Sequence, residues 1–184
     1  MTSRKFDRNR LFFRSLDDRK NQIIFRDKQV SPGYRPENLT DEASGIISET
    51  ASGIIQARKE NRSVILAFGA HTIKNGLGPV LTELIRRGWV THLATNGAGI
   101  IHDWEFAFQG ESGEDVRENV DKGQFGIWQE TGLFINLALT VGAFEKLGYG
   151  ESVGKMISRE GLDIPDLQFL ADETVKKIKE DPSY

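Results

Sequence analysis

The sequence predicts an α/β fold in which helices cover a parallel sheet. A short apolar run at residues 63–69 has the length and composition of a buried strand. A helical pattern follows it, and a second short apolar run occupies residues 89–94. Because a strand, a helix and a strand joined by tight connections form a βαβ unit, the two strands are expected to lie parallel.

Composition narrows the class of protein. The chain has 184 residues, with 38% hydrophobic and 28% charged residues, which is typical of a globular domain. A net charge of −3 gives no reason to expect nucleic acid or an anionic membrane as a partner. The absence of cysteine excludes disulfides, thiolate metal sites and cysteine nucleophiles. Without a signal peptide pattern or an apolar run near ~18 residues, the expected location is the cytoplasm.

The domain organisation is expected to change near residue 40. Residues 1–39 mix basic and aromatic residues without a sustained period, which favours an arm packed on the sheet or on a neighbouring subunit over an RNA-binding arm. Residues 22–25 are a candidate edge strand. Residues 40–184 are expected to form the α/β domain, or part of a longer one. The two strands at residues 63–69 and 89–94 are fewer than the ~5–6 of an average sheet, so the sheet is expected to be incomplete.

The helices are predicted from caps and apolar periodicity. Thr40 is expected to cap the first long helix, and Asn75 to open the helix between the two strands, with Pro79 near its start and Gly88 after its end. Ser112 and Asp115 resemble a capping box. Further helices are expected at residues 130–147 and after Pro165. The predicted inward-facing residues of the first long helix and the capping-box helix are Ala43, Ile46, Ile47, Ile54, Ala57, Val116 and Val120.

The segment after the second strand concentrates the features of a ligand site. It starts with the small-residue run Asn96-Gly97-Ala98-Gly99, which predicts a sharp turn whose amides can approach a ligand closely. The titratable side chains of His102, Asp103 and Glu105 follow directly. Open α/β sheets bind ligands at the carboxyl ends of their strands, so this segment is the predicted site.

The segment after the first strand is expected to open at the same edge. His71 and Lys74 lie there, so His71 and His102 are predicted to converge. Histidine titrates near neutral pH, which suits proton transfer, whereas Lys74 favours an electrostatic contact with a phosphate or carboxylate. Asp103 is either a helix cap or a site residue. Glu105 lies on the same side as Asp103 only if the backbone there is extended.

Two motifs carry a resemblance to a known family. They are the run Phe68-Gly69-Ala70-His71-Thr72-Ile73-Lys74-Asn75-Gly76 and, after a helix, the run Val90-Thr91-His92-Leu93-Ala94-Thr95-Asn96-Gly97-Ala98-Gly99. With these motifs, residues 63–110 resemble the deoxyhypusine synthase family, which binds NAD on a Rossmann-like parallel sheet. A looser likeness to bacterial members continues through residues 112–132.

The resemblance implies NAD-dependent transfer of an aminoalkyl group from a polyamine to an acceptor amine. Family members form tetramers, which implies a homo-oligomer. The family's catalytic lysine segment is not found in this sequence, so the resemblance predicts the N-terminal portion of a member or a shortened relative, with catalysis left open. His71 stands where the family has an amide side chain, and His102 where it has a carboxylate. The implied cofactor-binding positions are Ala70, His71, Thr72, Ile73, Lys74, Asn96, Gly97 and Ala98, to which the small-residue run adds Gly99.

Two other functions remain open. The first is a metal-dependent hydrolase with His71, His102, Asp103 and Glu105 as nitrogen and oxygen ligands, although no His-x-x-x-His pair is present. The second is a non-catalytic oligomerisation module that uses the apolar helix at 130–147 and the N-terminal arm. For the transferase, the acidic residues expected to attract a cationic amine are Asp103, Glu105, Glu111 and Glu114.

Overall fold

A computed structural model describes residues 7–181, apart from the side chain of Arg8, as two compact units. The first unit ends at Thr131 and the second begins at Gly132. Residues 1–6 of the predicted arm lie outside the described residues. Within the described range, no helix is long and apolar enough to cross a membrane. The elements are β1 (Asn21–Ile24), α1 (Phe25–Lys28), α2 (Asp41–Lys59), β2 (Ile65–Ala67), α3 (Ala70–Lys74), α4 (Gly78–Arg86), β3 (His92–Ala94), α5 (Gly97–Gln109), β4 (Glu111–Glu114), α6 (Val116–Asp121), α7 (Gln129–Phe144), α8 (Tyr149–Arg159) and α9 (Leu167–Glu180).

The strands of the first unit form two small sheets, so the fold is mixed α/β. β2 and β3 pair in parallel with Leu66 opposite Leu93, which confirms the predicted parallel pair. β1 and β4 pair antiparallel with Ile23 opposite Ser112. The candidate edge strand therefore exists, but it belongs to the second sheet. Its continuation is fixed there because the Phe25 amide donates to the Gly110 carbonyl over 2.9 Å.

The parallel pair is covered on one face. Leu66 and Leu93 pack against the core cluster of Ile73, Leu81 and Phe106. Ile65, by contrast, is 65% exposed, so the prediction of a fully buried strand was wrong. Because successive residues of a strand point to opposite faces, a sheet covered on one side alone leaves every second side chain in solvent. His92, predicted to lie in the core or an interface, is exposed for the same reason.

The connection between β2 and β3 contains two helices instead of one. α3 begins directly after β2, and Asn75 ends α3, since its amide donates to the His71 carbonyl over 2.9 Å. The prediction that Asn75 opens the next helix was therefore wrong. α4 begins at Gly78 with a proline in its first turn, and Gly88, with a φ of 71°, follows its end as predicted.

The predicted caps and the predicted inward-facing residues are confirmed only in part. Thr40 caps α2 by accepting a hydrogen bond from the Ala43 amide, as predicted, but no residue of α2 is buried. Asp115 is the cap of α6, and Ser112 lies in β4, so the proposed capping box was wrong. Asp115 takes the capping position because its carboxylate accepts a hydrogen bond from the Glu118 amide over 2.8 Å. Four residues predicted to face inward are instead more than half exposed, namely Ile46, Ile47, Val116 and Val120.

The second unit contains most of α7 and all of α9, the two helices that the sequence predicts there, and also α8, which the sequence did not predict. α7 and α8 approach closely at Gly142, where an added Cβ would lie 1.9 Å from Ser152 Oγ. Lys155 of α8 forms an ion pair with Glu145. Asp166 caps α9. The buried apolar side chains of α7 and α8 are Ile135, Ala138, Val141, Val153 and Met156.

Gly76 is predicted to be the costliest glycine to replace with alanine in the first unit. Its φ is 82°, and a Cβ there would lie 2.1 Å from the Lys28 carbonyl oxygen. Left-handed backbone costs about 1–2 kcal/mol for other residues, and overpacking about 1–3 kcal/mol more. Gly76→Ala should therefore lower the free energy of unfolding by about 2–5 kcal/mol in urea denaturation.

The matched control is Gly88→Ala, where φ is 71° but a Cβ would meet nothing within 4 Å. That variant should show the backbone cost alone. Equal losses in the two variants would contradict the close contact between Gly76 and the segment that follows β1.

Candidate functional site

The candidate site lies at the carboxyl ends of β2 and β3. Each strand leads into a helix within three residues: β2 into α3 through Gly69, and β3 into α5 through Asn96. The two helices contact each other. All the predicted cofactor-binding positions therefore lie at one edge of the parallel pair, either in α3 or around the first turn of α5.

The small-residue run after β3 is the beginning of a helix. Asn96 caps α5 by accepting the Gly99 amide on its side chain over 3.0 Å, so the prediction of a sharp glycine turn was wrong. The amides of Gly97 and Ala98 head the helix, where no carbonyl of the helix can accept them. Gly99 is buried, and a Cβ there would lie 2.5 Å from Thr95 Oγ1, so packing requires this glycine.

Glu105 lies at the centre of a buried hydrogen-bond network. Its side chain is 1% exposed and accepts hydrogen bonds on both carboxylate oxygens. Arg19 Nη1 donates to Oε1 over 2.9 Å and Nη2 to Oε2 over 2.7 Å, a bidentate ion pair. Ser112 Oγ donates to Oε2 over 2.5 Å, and Thr131 Oγ1 to Oε1 over 2.9 Å. A charge removed from water is stabilised only by such contacts, and Glu105 accepts four hydrogen bonds from three residues.

Arg19 is held in place by its own contacts. Its guanidinium is 3% exposed, and its Nε donates to Asn21 Oδ1 over 2.8 Å. It also lies over the ring of Trp128, 5.5 Å from the centroid, in a cation–π contact. The part of the predicted N-terminal arm around Arg19 thus packs against α5 of the same chain.

His102 connects this network to the edge of the sheet. It lies one turn before Glu105 on α5, and its Nδ1 is 2.6 Å from Ser112 Oγ. Partial burial lowers the pKa of His102 below its ordinary value. Electrostatic interactions with Lys74, Arg19 and His71 also lower this pKa, whereas the interaction with Glu105 raises it. The imidazole is therefore neutral at neutral pH.

Lys74 and His71 reach the same place from α3. A Cβ on Gly113 would lie 3.6 Å from Lys74 Cε, so the lysine chain passes β4 next to Ser112. Lys74 is half-buried and His71 is exposed, and both are near enough to act on the charge of His102. His71 and Lys74 thus lie on the helix that contacts α5, near enough to influence the pKa of His102. The convergence of the two histidines in one ligand site stays a prediction.

Asp103 and Glu105 do not act as a pair. Both lie inside the helix α5, where residues two apart point in different directions, so neither the cap nor the extended arrangement occurs. Asp103 keeps an exposed surface, yet crowding by neighbouring protein atoms raises its pKa. Among residues 7–181, no three His, Asp or Glu side chains form a metal-binding group. The ligand set of the alternative metal-dependent hydrolase is therefore not assembled.

The predicted acidic cluster is also only partly available. The charge of Glu105 is matched by Arg19. Glu114 accepts hydrogen bonds from Asn119 Nδ2 over 2.8 Å and from the Gly126 amide over 3.1 Å. The carboxylates left to meet a cationic ligand are those of Asp103 and Glu111.

Sequence reasoning missed Arg19, Ser112 and Thr131 as partners of the site. One signal was present: Glu105 stands between the large apolar residues Trp104 and Phe106 on a helix that must pack on a sheet. An acid in such a place needs a buried cation, and the basic N-terminal segment is a source of one. Ser112 and Thr131 left no comparable signal.

Comparisons of the chain with protein-family models, with curated proteins and with solved structures found no match. Function is therefore inferred from the contacts described above. The contacts that matter most are those of Glu105 and His102.

Replacing Glu105 is predicted to destabilise the protein strongly. Glu105→Ala leaves the buried guanidinium of Arg19 without its carboxylate, which typically costs about 3–5 kcal/mol. The free energy of unfolding, measured by urea denaturation, should fall by that amount.

Glu83→Ala is the matched control, because Glu83 accepts hydrogen bonds from two surface arginines, Arg86 and Arg87. It should leave the unfolding midpoint nearly unchanged. A Glu105→Ala variant as stable as this control would show that the buried ion pair does not hold the first unit together.

Proposed function

We propose that the chain is a deoxyhypusine synthase-like protein that binds NAD at the edge formed by β2 and β3. The observation that carries the proposal is the convergence of α3 and α5, with His71, Lys74 and His102, at the carboxyl ends of two parallel strands. Parallel α/β sheets bind dinucleotides at this edge. On this proposal the parallel pair is part of a Rossmann-like sheet, and a larger assembly covers its open face and edges.

The residues at this edge fit the phosphates of a dinucleotide. The free amides at the start of α5 point to the side where an anion is stabilised by the helix dipole. Lys74 supplies a positive charge that acts on His102, in the second turn of the same helix. A Cβ on Gly69 would meet nothing within 4 Å, so the backbone at the end of β2 borders open space. Lys74, Gly97 and Ala98 are therefore the residues proposed to hold the pyrophosphate.

The proposed reaction is the transfer of an aminoalkyl group from a polyamine to an acceptor amine. NAD, when bound, would supply the reversible hydride chemistry that this transfer needs at the carbon next to the reacting nitrogen. His102 takes the proton that a polyamine ammonium must lose before its nitrogen lone pair becomes available. The exposed Asp103 provides a negative charge toward the cationic substrate.

The proposal predicts that NAD stabilises the protein through Lys74. At a concentration 100 times its Kd, a ligand adds about 2.7 kcal/mol to the free energy of unfolding. Thermal denaturation with and without NAD should show a higher midpoint in the unaltered protein and little change in Lys74→Met. Lys59→Met, on the exposed surface of α2, is the control and should respond like the unaltered protein.

Polyamine added with NAD should then give the absorbance of reduced nicotinamide. An unchanged denaturation midpoint with NAD in the unaltered protein would overturn the proposal. An equal response in Lys74→Met would remove Lys74 from the cofactor site.

Oligomerisation is the second proposed function, and α2 carries the observation that favours it. None of its 19 residues is buried, and Ile46, Ile47 and Ile55 are 58%, 52% and 41% exposed. Acidic residues lie in its first turn and basic residues in its last turn. An antiparallel pair of α2 helices from two copies would therefore bring opposite charges together and cover the apolar side chains, as a two-fold interface requires. The proposed partner is a second copy of this chain.

Analytical ultracentrifugation tests this interface. The unaltered chain should sediment as a dimer or larger, and Ile46→Glu should shift it toward the monomer because a buried charge opposes association. Thr82→Glu, at an exposed hydroxyl on α4 that bonds within its own helix, is the control and should keep the oligomer. A monomer at all accessible concentrations of unaltered protein would contradict the proposal.

A further inference from the structure

We propose that Arg19, Glu105 and Ser112 are positioning residues that hold His102 in one tautomer, with the proton on Nδ1 and the lone pair on Nε2. The tautomer is inferred from hydrogen-bond geometry, and its role in a reaction rests on the proposed function. Its starting point is the chain of contacts from Arg19 through Glu105 and Ser112 to His102, whose heavy-atom distances lie between 2.5 and 2.9 Å.

The first step is that Glu105 has no proton to give. Both of its oxygens accept hydrogen bonds from the guanidinium of Arg19, which stays protonated in proteins. A carboxylate in a bidentate pair with arginine is ionised, and an ionised carboxylate only accepts hydrogen bonds. The bond between Glu105 and Ser112 must therefore use the hydroxyl proton of Ser112.

The second step concerns the other bond of Ser112. A serine hydroxyl has a single proton and two lone pairs. Since that proton points at Glu105 Oε2 over 2.5 Å, Ser112 Oγ can only accept from His102 Nδ1, 2.6 Å away. His102 Nδ1 must carry a hydrogen. The tautomer follows from counting protons along the network, because which ring nitrogen is protonated is set by the bond it makes.

The third step places the lone pair. In a neutral imidazole with Nδ1 protonated, Nε2 is an acceptor. Burial keeps the ring neutral by lowering the pKa of His102, and electrostatic interactions with Lys74 and His71 on α3 and with Arg19 on the N-terminal segment add to this effect. Glu105 opposes it from the same helix, but its charge is shared with Arg19. His102 is thus held as a proton acceptor.

The consequence for the proposed reaction is the direction of proton transfer. A ring that presents a lone pair at Nε2 can take the proton of a substrate ammonium, and it cannot donate one first. The opposite tautomer would present an N–H and would repel the same ammonium proton. The network therefore selects a cationic amine over a hydrogen-bond acceptor as the group that meets Nε2.

Nitrogen NMR of the histidine side chains tests the tautomer directly. The chain has three histidines, so His71→Gln and His92→Gln assign the signals of His102 by elimination. In the unaltered protein at neutral pH, His102 should show a protonated Nδ1 and an unprotonated Nε2, and it should titrate below the ordinary histidine pKa of about 6.5. A protonated Nε2, or exchange between the two tautomers, would overturn the inference.

Ser112→Ala tests the positioning role. Without the hydroxyl, Nδ1–H loses its acceptor, so the NMR signals of His102 should move toward the tautomer protonated at Nε2. Ser52→Ala is the matched control, because the Ser52 hydroxyl donates to the Ser48 carbonyl within the exposed helix α2. An unchanged tautomer in a folded Ser112→Ala would remove Ser112 from the role. If that variant does not fold, the measurement on unaltered protein still decides the tautomer.

These measurements contain no NAD and no amine, so they separate the two proposals. A fixed Nδ1–H tautomer in a protein that NAD does not stabilise would support the positioning network and overturn the proposed cofactor. NAD binding in a protein whose His102 is protonated at Nε2 would do the reverse.

Discussion

The buried ion pair between Arg19 and Glu105 is the constraint on which the rest of the first unit depends. It connects the N-terminal segment to the helix that follows β3, and its guanidinium lies over Trp128 near the start of α7. Replacing one partner leaves an uncompensated charge away from water, which costs several times what a surface pair contributes. The same carboxylate orders Ser112 and Thr131, so a single charge fixes groups from distant parts of the sequence.

That arrangement explains how a small parallel pair can present an ordered site. β2 and β3 have three residues each and are covered on one face, so they give little rigidity by themselves. Rigidity comes from α5, whose first turn meets the proposed cofactor and whose middle carries His102 and Glu105. The helix thus connects a packed face with the end at which the proposed cofactor would bind. A substitution of Arg19 is therefore expected to change the affinity for a ligand at the first turn of α5.

Sequence reasoning found the parts of the site that depend on local rules and missed those that depend on tertiary contacts. Apolar periodicity was enough to predict the parallel pair and the helix after Pro165. The hydrogen-bonding side chain of Thr40 was enough to predict the cap of α2. The convergence of His71 and His102 is a prediction from the topology of parallel strands. The role of Ser112 could not be predicted, because its position in β4 depends on pairing with β1, far away in sequence. Predictions of burial were wrong most often, because an apolar stripe such as that of α2 does not indicate which element covers it.

The central claim is that Arg19 and Glu105 stabilise the first unit as a pair, and a double-mutant cycle tests it most directly. Arg19→Met, Glu105→Leu and the double variant would be compared with the unaltered protein by urea denaturation. The account predicts that either replacement alone lowers the free energy of unfolding far more than the second replacement lowers it further. Two apolar side chains can replace a buried ion pair, whereas one apolar side chain leaves the remaining charge without a partner. Losses that simply add would contradict it.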